Sequence, residues 1–398
     1  MKIIIVGGHL APALAVIEVL LPCHSRVGGN PDTFSLHETY LAPPEILFLG
    51  RKYALEGDNS LSLEYQKITA MGIPFINLTT GRLQRKFTKH ALTSLFKLPI
   101  GSLQALKELM RNRPDCVVCF GGYVQIPVAF AAFILGIPII THEQTRKAGL
   151  ANKIIAPFAT VICISWEESK KYFPKNKTIL TGIPLRKEFF THVIAQERND
   201  EAIPSAAADK TIYITGGSLG AHAINLLIEG CIEKLLEKNF YIIHQTGDAK
   251  EYNDYDRLAK LKQNLSQALQ NKYKLVKFID PQDTAQAMTS ADLVISRSGM
   301  NTTAELRYLN KPCLLIPLPN GQSNEQLENA LFLEEQGLAK VSRQEDLTPE
   351  ILYSQITSII DKLDKAKSSK LQPNRLIPYD AAEKITQIIT QISGQKKQ

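Results

Sequence analysis

The sequence predicts two doubly wound α/β domains, and three observations carry that expectation. Short β-branched runs alternate with amphipathic helical stretches up to Arg186 and again from residue 211 onward; this pattern belongs to parallel sheets covered by helices on both faces. Between the two series, residues 190–209 are polar, alanine-rich and aperiodic, and read as a linker. Each series opens with a strand that runs into a Gly-Gly turn, Val6-Gly7-Gly8 in the first and Thr215-Gly216-Gly217-Ser218 in the second. Ligands of such sheets sit at the carboxyl ends of the strands, so two facing sheets would place a site in the cleft between them.

In chain order, strands are expected near 2–6, 45–49, 74–77, 115–119, 137–141, 160–163 and 177–180. Helices near 10–21, 61–71, 91–112, 123–135, 149–156 and 166–172 alternate with them. The second series has strands at 211–215, 240–245, 273–278, 292–295, 312–316 and 338–341, with helices at 220–238, 254–268, 283–289, 301–309 and 323–335. Helices at 348–365 and 379–393 close the chain. The expected division is an N-terminal domain over 1–188, a linker over 189–209, a C-terminal domain over 210–375, and a terminal segment, 376–398, whose helix can pack back on the N-terminal domain. One segment breaks the pattern: Pro22 to Pro44 puts 23 residues where such a connection needs about 2–6. It reads as a surface insertion, and the irregular spacing of Cys23, His24 and His37 within it does not make a metal site.

The chain of 398 residues is 44% hydrophobic and 21% charged, with a formal net charge of +7. That is an ordinary globular composition with a mild positive excess, whose placement matters more than its size. The apolar start imitates an export signal, but Gly7, Gly8, Pro12 and Glu18 interrupt it, so a strand, turn and buried helix account for it better. Nothing later supplies some 20 uninterrupted apolar residues for a spanning helix. Cys116 and Cys119 have redox spacing but lie in an apolar strand, where positions three apart point to opposite faces. They read as buried small residues, which fits a reducing, cytosolic setting.

The second series carries the sharper motifs. Gly216-Gly217-Ser218-Leu219-Gly220 follows a strand and opens a helix, an arrangement that offers free N–H groups to a diphosphate. Arg297-Ser298-Gly299 ends another strand, and Glu305 lies on the first turns of the helix that follows. A carboxylate there can accept hydrogen bonds from ribose hydroxyls or simply complement the helix dipole, and spacing alone leaves both readings open. In the first series, Phe120-Gly121-Gly122-Tyr123 is another strand-end glycine loop. Thr141-His142-Glu143-Gln144-Thr145 ends the next strand, and His142 with Glu143 reads better as scaffold than as an acid–base pair. Residues 82–113 carry eight Lys/Arg against the single acid Glu108, with leucines interleaved. Such a stretch suits an anionic membrane surface; nucleic acid is disfavoured because aromatic residues for base stacking are sparse.

With these motifs in order, the chain resembles the MurG family, bacterial cell-wall transferases of the GT-B class that add N-acetylglucosamine (GlcNAc) to lipid I. The resemblance rests on GGHLAP (7–12), TTGRLQRK (79–86), PDCVVCFGGYVQIPVAFAA (114–132), GIPIITHEQTRKAGLANK (136–153), TGIPLRKE (181–188), TGGSLGAHAIN (215–225), HQTG (244–247), FID (278–280), RSGMNTTAE (297–305) and EQLENA (325–330). It covers nearly the whole chain except 22–44.

The resemblance implies an inverting, metal-independent transfer, without cofactor, from UDP-GlcNAc to the C4 hydroxyl of undecaprenyl-diphosphate-MurNAc-pentapeptide. It places the protein peripherally on the cytoplasmic side of the cell membrane, held through 82–103, and leaves other cell-wall enzymes open as partners. His9 is then the candidate base, with Gly7, Gly8, Gly121, Gly122 and Tyr123 on the acceptor side. The donor would meet Thr145, Arg186, Ser218, Ile279, the run Met300, Asn301, Thr302, Thr303, Ala304 and Glu305, and Gln326, with Glu305 on the ribose. Asp254-Tyr255-Asp256 has the spacing of a cation-binding pair but is expected to open a surface helix.

There are departures from the family pattern. The loop GGTGGH is shortened to Val6-Gly7-Gly8-His9, and Thr145 stands where the family has Asn. A UDP-GlcNAc 2-epimerase, which uses the same two-domain architecture, and a non-catalytic sugar-nucleotide-binding protein are the alternative readings.

Overall fold

A computed structural model describes residues 1–21, 43–53, 61–79, 89–186, 189, 210–217, 220–249, 251–319, 324–365 and 380–395. Ser218, the basic residues 82–88 and all but two residues of the 22–44 insertion lie outside these. The chain divides into two compact units, Met1–Arg186 with Pro378–Gln398, and Lys187–Ile377.

The first unit is built on a seven-stranded sheet in the order β3-β2-β1-β4-β5-β6-β7. Its strands are β1 (Lys2–Val6), β2 (Glu45–Gly50), β3 (Phe75–Asn77), β4 (Cys116–Cys119), β5 (Ile139–Glu143), β6 (Val161–Ile164) and β7 (Thr178–Leu180). Every pairing is parallel. Alternate residues of β1 therefore feed two cores. Ile3 and Ile5 pack with α1 (Leu10–Leu20), while Ile4 and Val6 face residues of α3 (Lys89–Asn112) and α4 (Gln125–Ile134). Cys116 falls in the first core and Cys119 in the second, so the two thiols do diverge across the sheet. The fifth strand begins two residues later than the hydrophobic run suggests, after Pro138, which has no N–H for the ladder.

The C-terminal helix, Ala381–Gln395, belongs to this unit. It buries Ile385 and Ile389 completely, together with Ile392, against the α1 side of the sheet.

The second unit carries a six-stranded sheet in the order β10-β9-β8-β11-β12-β13. The strands are β8 (Lys210–Thr215), β9 (Phe240–Gln245), β10 (Tyr273–Val276), β11 (Leu293–Ser296), β12 (Cys313–Leu315) and β13 (Ala339–Val341), again all parallel. The helix expected over 220–238 is two helices, His222–Glu229 and Ile232–Glu237. Gly230 separates them where a Cβ would fall 2.5 Å from the Pro349 ring. The stretch 254–268 likewise breaks near Ser266 into Asp254–Asn264 and Gln267–Asn271.

Asp254 opens a surface helix, Asp254–Asn264, as expected, but its own side chain is buried. It is 5% exposed and accepts hydrogen bonds from Asn225 Nδ2 (2.7 Å) and Arg257 (2.6 Å), with His222 Nδ1 2.7 Å away. Pairing with Arg257 and Asn225 offsets the cost of burying the carboxylate.

Candidate functional site

Both sheets reverse strand order once, between β1 and β4 in the first and between β8 and β11 in the second. These are the switch points at which doubly wound sheets leave a crevice beyond the strand ends. The glycine motifs lie at them.

In the first unit, Val6 pairs with Cys119, so the loops after β1 and β4 leave the sheet side by side. The His9 backbone N–H donates to the Phe120 carbonyl at 2.9 Å and locks the loops together. The approach is so close that a Cβ on Gly8 would lie 2.1 Å from the Gly121 carbonyl oxygen. At Gly121, whose φ is +84°, a Cβ would meet His9 Nδ1 at 2.5 Å. Glycine is required at both positions. The His9 imidazole thus packs on the second glycine loop, half-buried, with Gly122 and Tyr123 beside it in sequence. Burial pushes its pKa below the ordinary histidine value, against the opposing pull of the Glu143 negative charge and the Phe120 carbonyl. A neutral imidazole at neutral pH has a lone pair to accept a proton.

The strand-end segment after β5 is scaffold. Glu143 is 1% exposed, and its two carboxylate oxygens accept from the Thr145 N–H and hydroxyl (2.9 and 2.6 Å), the Gly149 N–H (2.8 Å) and Asn152 Nδ2 (2.9 Å). Asn152 Oδ1 in turn accepts from Gln125 Nε2 at 2.6 Å, and Gln125 Oε1 accepts the Gly121 N–H at 3.0 Å. One buried chain of hydrogen bonds therefore ties the glycine loop after β4 to the segment after β5. Thr145, expected to meet the donor, has its hydroxyl within reach of Glu143 and, at 2.7 Å, the Lys147 carbonyl. His142 Nε2 lies 3.0 Å from Ser165 Oγ and 3.2 Å from the Gly182 carbonyl, and burial lowers its pKa to about 4. Arg186, half-buried, ends this stretch of the unit.

Sequence reasoning missed Glu64, on α2 (Leu63–Ala70). Its Oε1 accepts the Gly8 N–H at 3.1 Å and its Oε2 the Arg51 N–H at 3.2 Å. The Gly8 amide, expected to face the acceptor's diphosphate, is bonded to a carboxylate. Burial raises the Glu64 pKa, while the two N–H donors and the Arg51 charge pull it down.

In the second unit, Ser296 at the end of β11 pairs with Thr215 at the end of β8. The turn after β8 presses on the loop after β9: a Cβ on Gly220, at φ +81°, would fall 2.0 Å from the Thr246 carbonyl oxygen. Asn225 Nδ2 donates to that same carbonyl at 3.0 Å. Beneath it, His244 is fully buried, with Nε2 3.0 Å from Asn225 Oδ1 and Nδ1 2.9 Å from the Tyr273 hydroxyl, and its pKa is lowered to about 3.

After β11, the helix Met300–Tyr308 carries Met300, Thr303, Ala304 and Glu305 buried and Asn301 and Thr302 half-buried. Thr303 Oγ1 bonds back to the Gly299 and Met300 carbonyls. Ser298 Oγ donates to the Gln326 carbonyl (2.7 Å), and Gln326 Oε1 accepts the Leu318 N–H (3.0 Å). The loops after β11 and β12 are thereby joined at the start of the helix Glu325–Glu335. Ile279, buried, lies beyond β10 just before the helix Pro281–Ser290. Among the described residues, no group of three or more His, Cys, Asp or Glu could hold a metal ion.

Two parallel α/β units with glycine turns at both switch points define a protein with two crevice-forming doubly wound domains, and comparison with known proteins narrows the class. Residues 60–164 match the glycosyltransferase family 28 N-terminal domain and residues 211–387 the family 28 C-terminal domain. A protein of Clostridium kluyveri, named UDP-N-acetylglucosamine--N-acetylmuramyl-(pentapeptide) pyrophosphoryl-undecaprenol N-acetylglucosamine transferase, is 32% identical over 401 residues, covering 98% of each chain. Among solved structures, Acinetobacter baumannii MurG superposes with a TM-score of 0.63 at 24% identity, covering 98% of this chain and all of that one. The UDP-GlcNAc 2-epimerase of Neisseria meningitidis superposes with a TM-score of 0.62 at 14% identity, over 98% and 100% of the two chains, and shares the fold alone. The chain belongs to the MurG family of N-acetylglucosaminyltransferases.

Proposed function

We propose that this protein transfers GlcNAc from UDP-GlcNAc to the C4 hydroxyl of MurNAc in lipid I, forming lipid II for peptidoglycan. The observation that carries the chemistry is the His9 imidazole held on Gly121 at the switch point of the first sheet, where burial lowers its pKa. His9 takes the proton of the attacking hydroxyl. The oxygen bonds to C1 of GlcNAc from the face opposite UDP, the bond to UDP breaks with its electron pair, and the anomeric centre inverts.

In the second unit, the turn after β8 and the N-terminus of the helix at His222 supply N–H groups and dipole for the leaving diphosphate. Ser218 belongs to that turn, Arg186 adds positive charge, and Ile279 presents its backbone to uracil. Glu305 binds the ribose within the run 300–305, Gln326 meets the sugar, and Thr145, held beside Glu143, contacts the donor. Gly7, Gly8, Gly121, Gly122 and Tyr123 frame the acceptor.

The protein acts peripherally at the cytoplasmic face of the membrane. Supporting this, no helix among the described residues is long and apolar enough to cross a bilayer. Large apolar side chains are nevertheless exposed on neighbouring helices of the first unit: Ile100 and Leu103 on α3, and Phe130, Phe133 and Ile134 on α4. With the basic residues of 82–103 they suit an anionic lipid surface. Neutralising Arg82, Arg85 and Lys86 together lowers co-sedimentation with anionic vesicles; equal sedimentation removes this face.

The activity is tested by incubating the protein with labelled UDP-GlcNAc, with and without a lipid I analogue. Label in the lipid product only when the analogue is present supports the transferase. UDP-ManNAc formed from UDP-GlcNAc alone identifies an epimerase instead.

A further inference from the structure

A carboxylate occupies the first glycine turn, and the turn is shaped around it. The three atoms nearest to a Cβ built on Gly7 all belong to Glu64, with Oε1 at 1.8 Å. On Gly50, at the end of β2, the nearest atom is Glu64 Oε2 at 2.5 Å. Gly7 is not at positive φ, so its backbone does not demand glycine; a side chain there would instead displace the Glu64 carboxylate. Each Glu64 oxygen takes an N–H from a different segment, Gly8 after β1 and Arg51 after β2. The two N–H donors favour the ionised carboxylate against the burial that raises its pKa, and bonds to the ionised form are stronger than neutral ones.

We propose that Glu64 is a positioning residue for acceptor binding: its carboxylate clamps the Gly7-Gly8-His9 turn to the end of β2 and so fixes His9 against the second glycine loop. The Gly8 amide then belongs to the clamp, and the acceptor's diphosphate is held without it. This rests on the transferase reading for its kinetic consequence, but the clamp itself has a readout that needs no substrate.

Two variants and their combination test it. Glu64→Ala raises the KM for a lipid I analogue about tenfold while the KM for UDP-GlcNAc stays within about twofold. Added formate, which refills the vacated seat, restores acceptor affinity in this variant; a residue that merely supports the fold gives no such rescue. Gly7→Ala evicts the carboxylate, so it lowers Tm and weakens acceptor binding in the wild-type background but adds little in the Glu64→Ala background.

An unchanged acceptor KM in Glu64→Ala overturns the proposal. So does a Gly7→Ala loss of Tm as large without Glu64 as with it. Far-UV circular dichroism of wild-type intensity, with a single cooperative unfolding transition for the first unit, verifies that each variant is folded. If the wild type binds UDP-GlcNAc but transfers nothing, the transferase reading fails, and the Tm coupling between positions 7 and 64 still decides the clamp.

Discussion

His9, Glu305 and Glu64 show how differently single residues declare themselves. His9 was legible as a candidate base through the family resemblance of GGHLAP, and the structure adds what spacing could not: a ring pressed on Gly121, with its pKa lowered by burial. Glu305 is 6% exposed on its helix, a burial that a simple surface charge at a helix start does not need. Glu305→Ala lowers affinity for UDP-GlcNAc by about tenfold or more, the cost of two lost hydroxyl bonds to a charged acceptor. Titration calorimetry checks this, and unchanged affinity removes the ribose role. Glu64 was illegible. It bonds to Gly8 from 56 residues away in sequence, and an acid in the first turn of a helix otherwise reads as complementing the helix dipole.

At the scale of elements, all thirteen strands were legible, because a buried parallel strand is a β-branched run bounded by turn residues. The breaks within helices were not. Two helices part at Gly230 and Cys231, and Gly230 lets the Pro349 ring pack where a side chain would be, a tertiary contact that no local pattern contains. The burial of Asp254 was hidden for a related reason: Arg257 is its i,i+3 neighbour, but Asn225 and His222 reach it from a helix about 30 residues earlier.

The C-terminal helix also declares its role through packing. Ile385 and Ile389 are fully buried against the α1 side of the first sheet, although about 190 residues of the other unit intervene in the chain. Ile389→Ala destabilises the first unit by about 2–5 kcal/mol, read as a lower urea midpoint. A loss below about 1 kcal/mol would show that the helix contributes little there.

At the scale of the molecule, each unit hides a neutral histidine: His142 with a pKa of about 4 in the first, and His244 at about 3 in the second. Both folded values lie below the roughly 6.5 of an unfolded histidine. The unfolded chain therefore binds more protons below pH 6.5, and stability falls as pH drops from 6.5 toward 4, by up to about 1.4 kcal/mol per pH unit for each group. Above that window the two histidines contribute no pH dependence. Thermal unfolding between pH 7.5 and 5 should show Tm falling only in the acidic part; a Tm that is flat there contradicts buried, neutral side chains.

The proposed function divides a transferase between two units, with the acceptor at the switch point of the first and the donor at that of the second. The most direct test of that account is GlcNAc transfer to a lipid I analogue by wild type and His9→Ala, with UDP-GlcNAc binding measured on both. The account predicts transfer by wild type and a loss of about 100-fold or more in the variant, with donor binding unchanged. Transfer that survives His9→Ala at the wild-type rate would contradict His9 as the base.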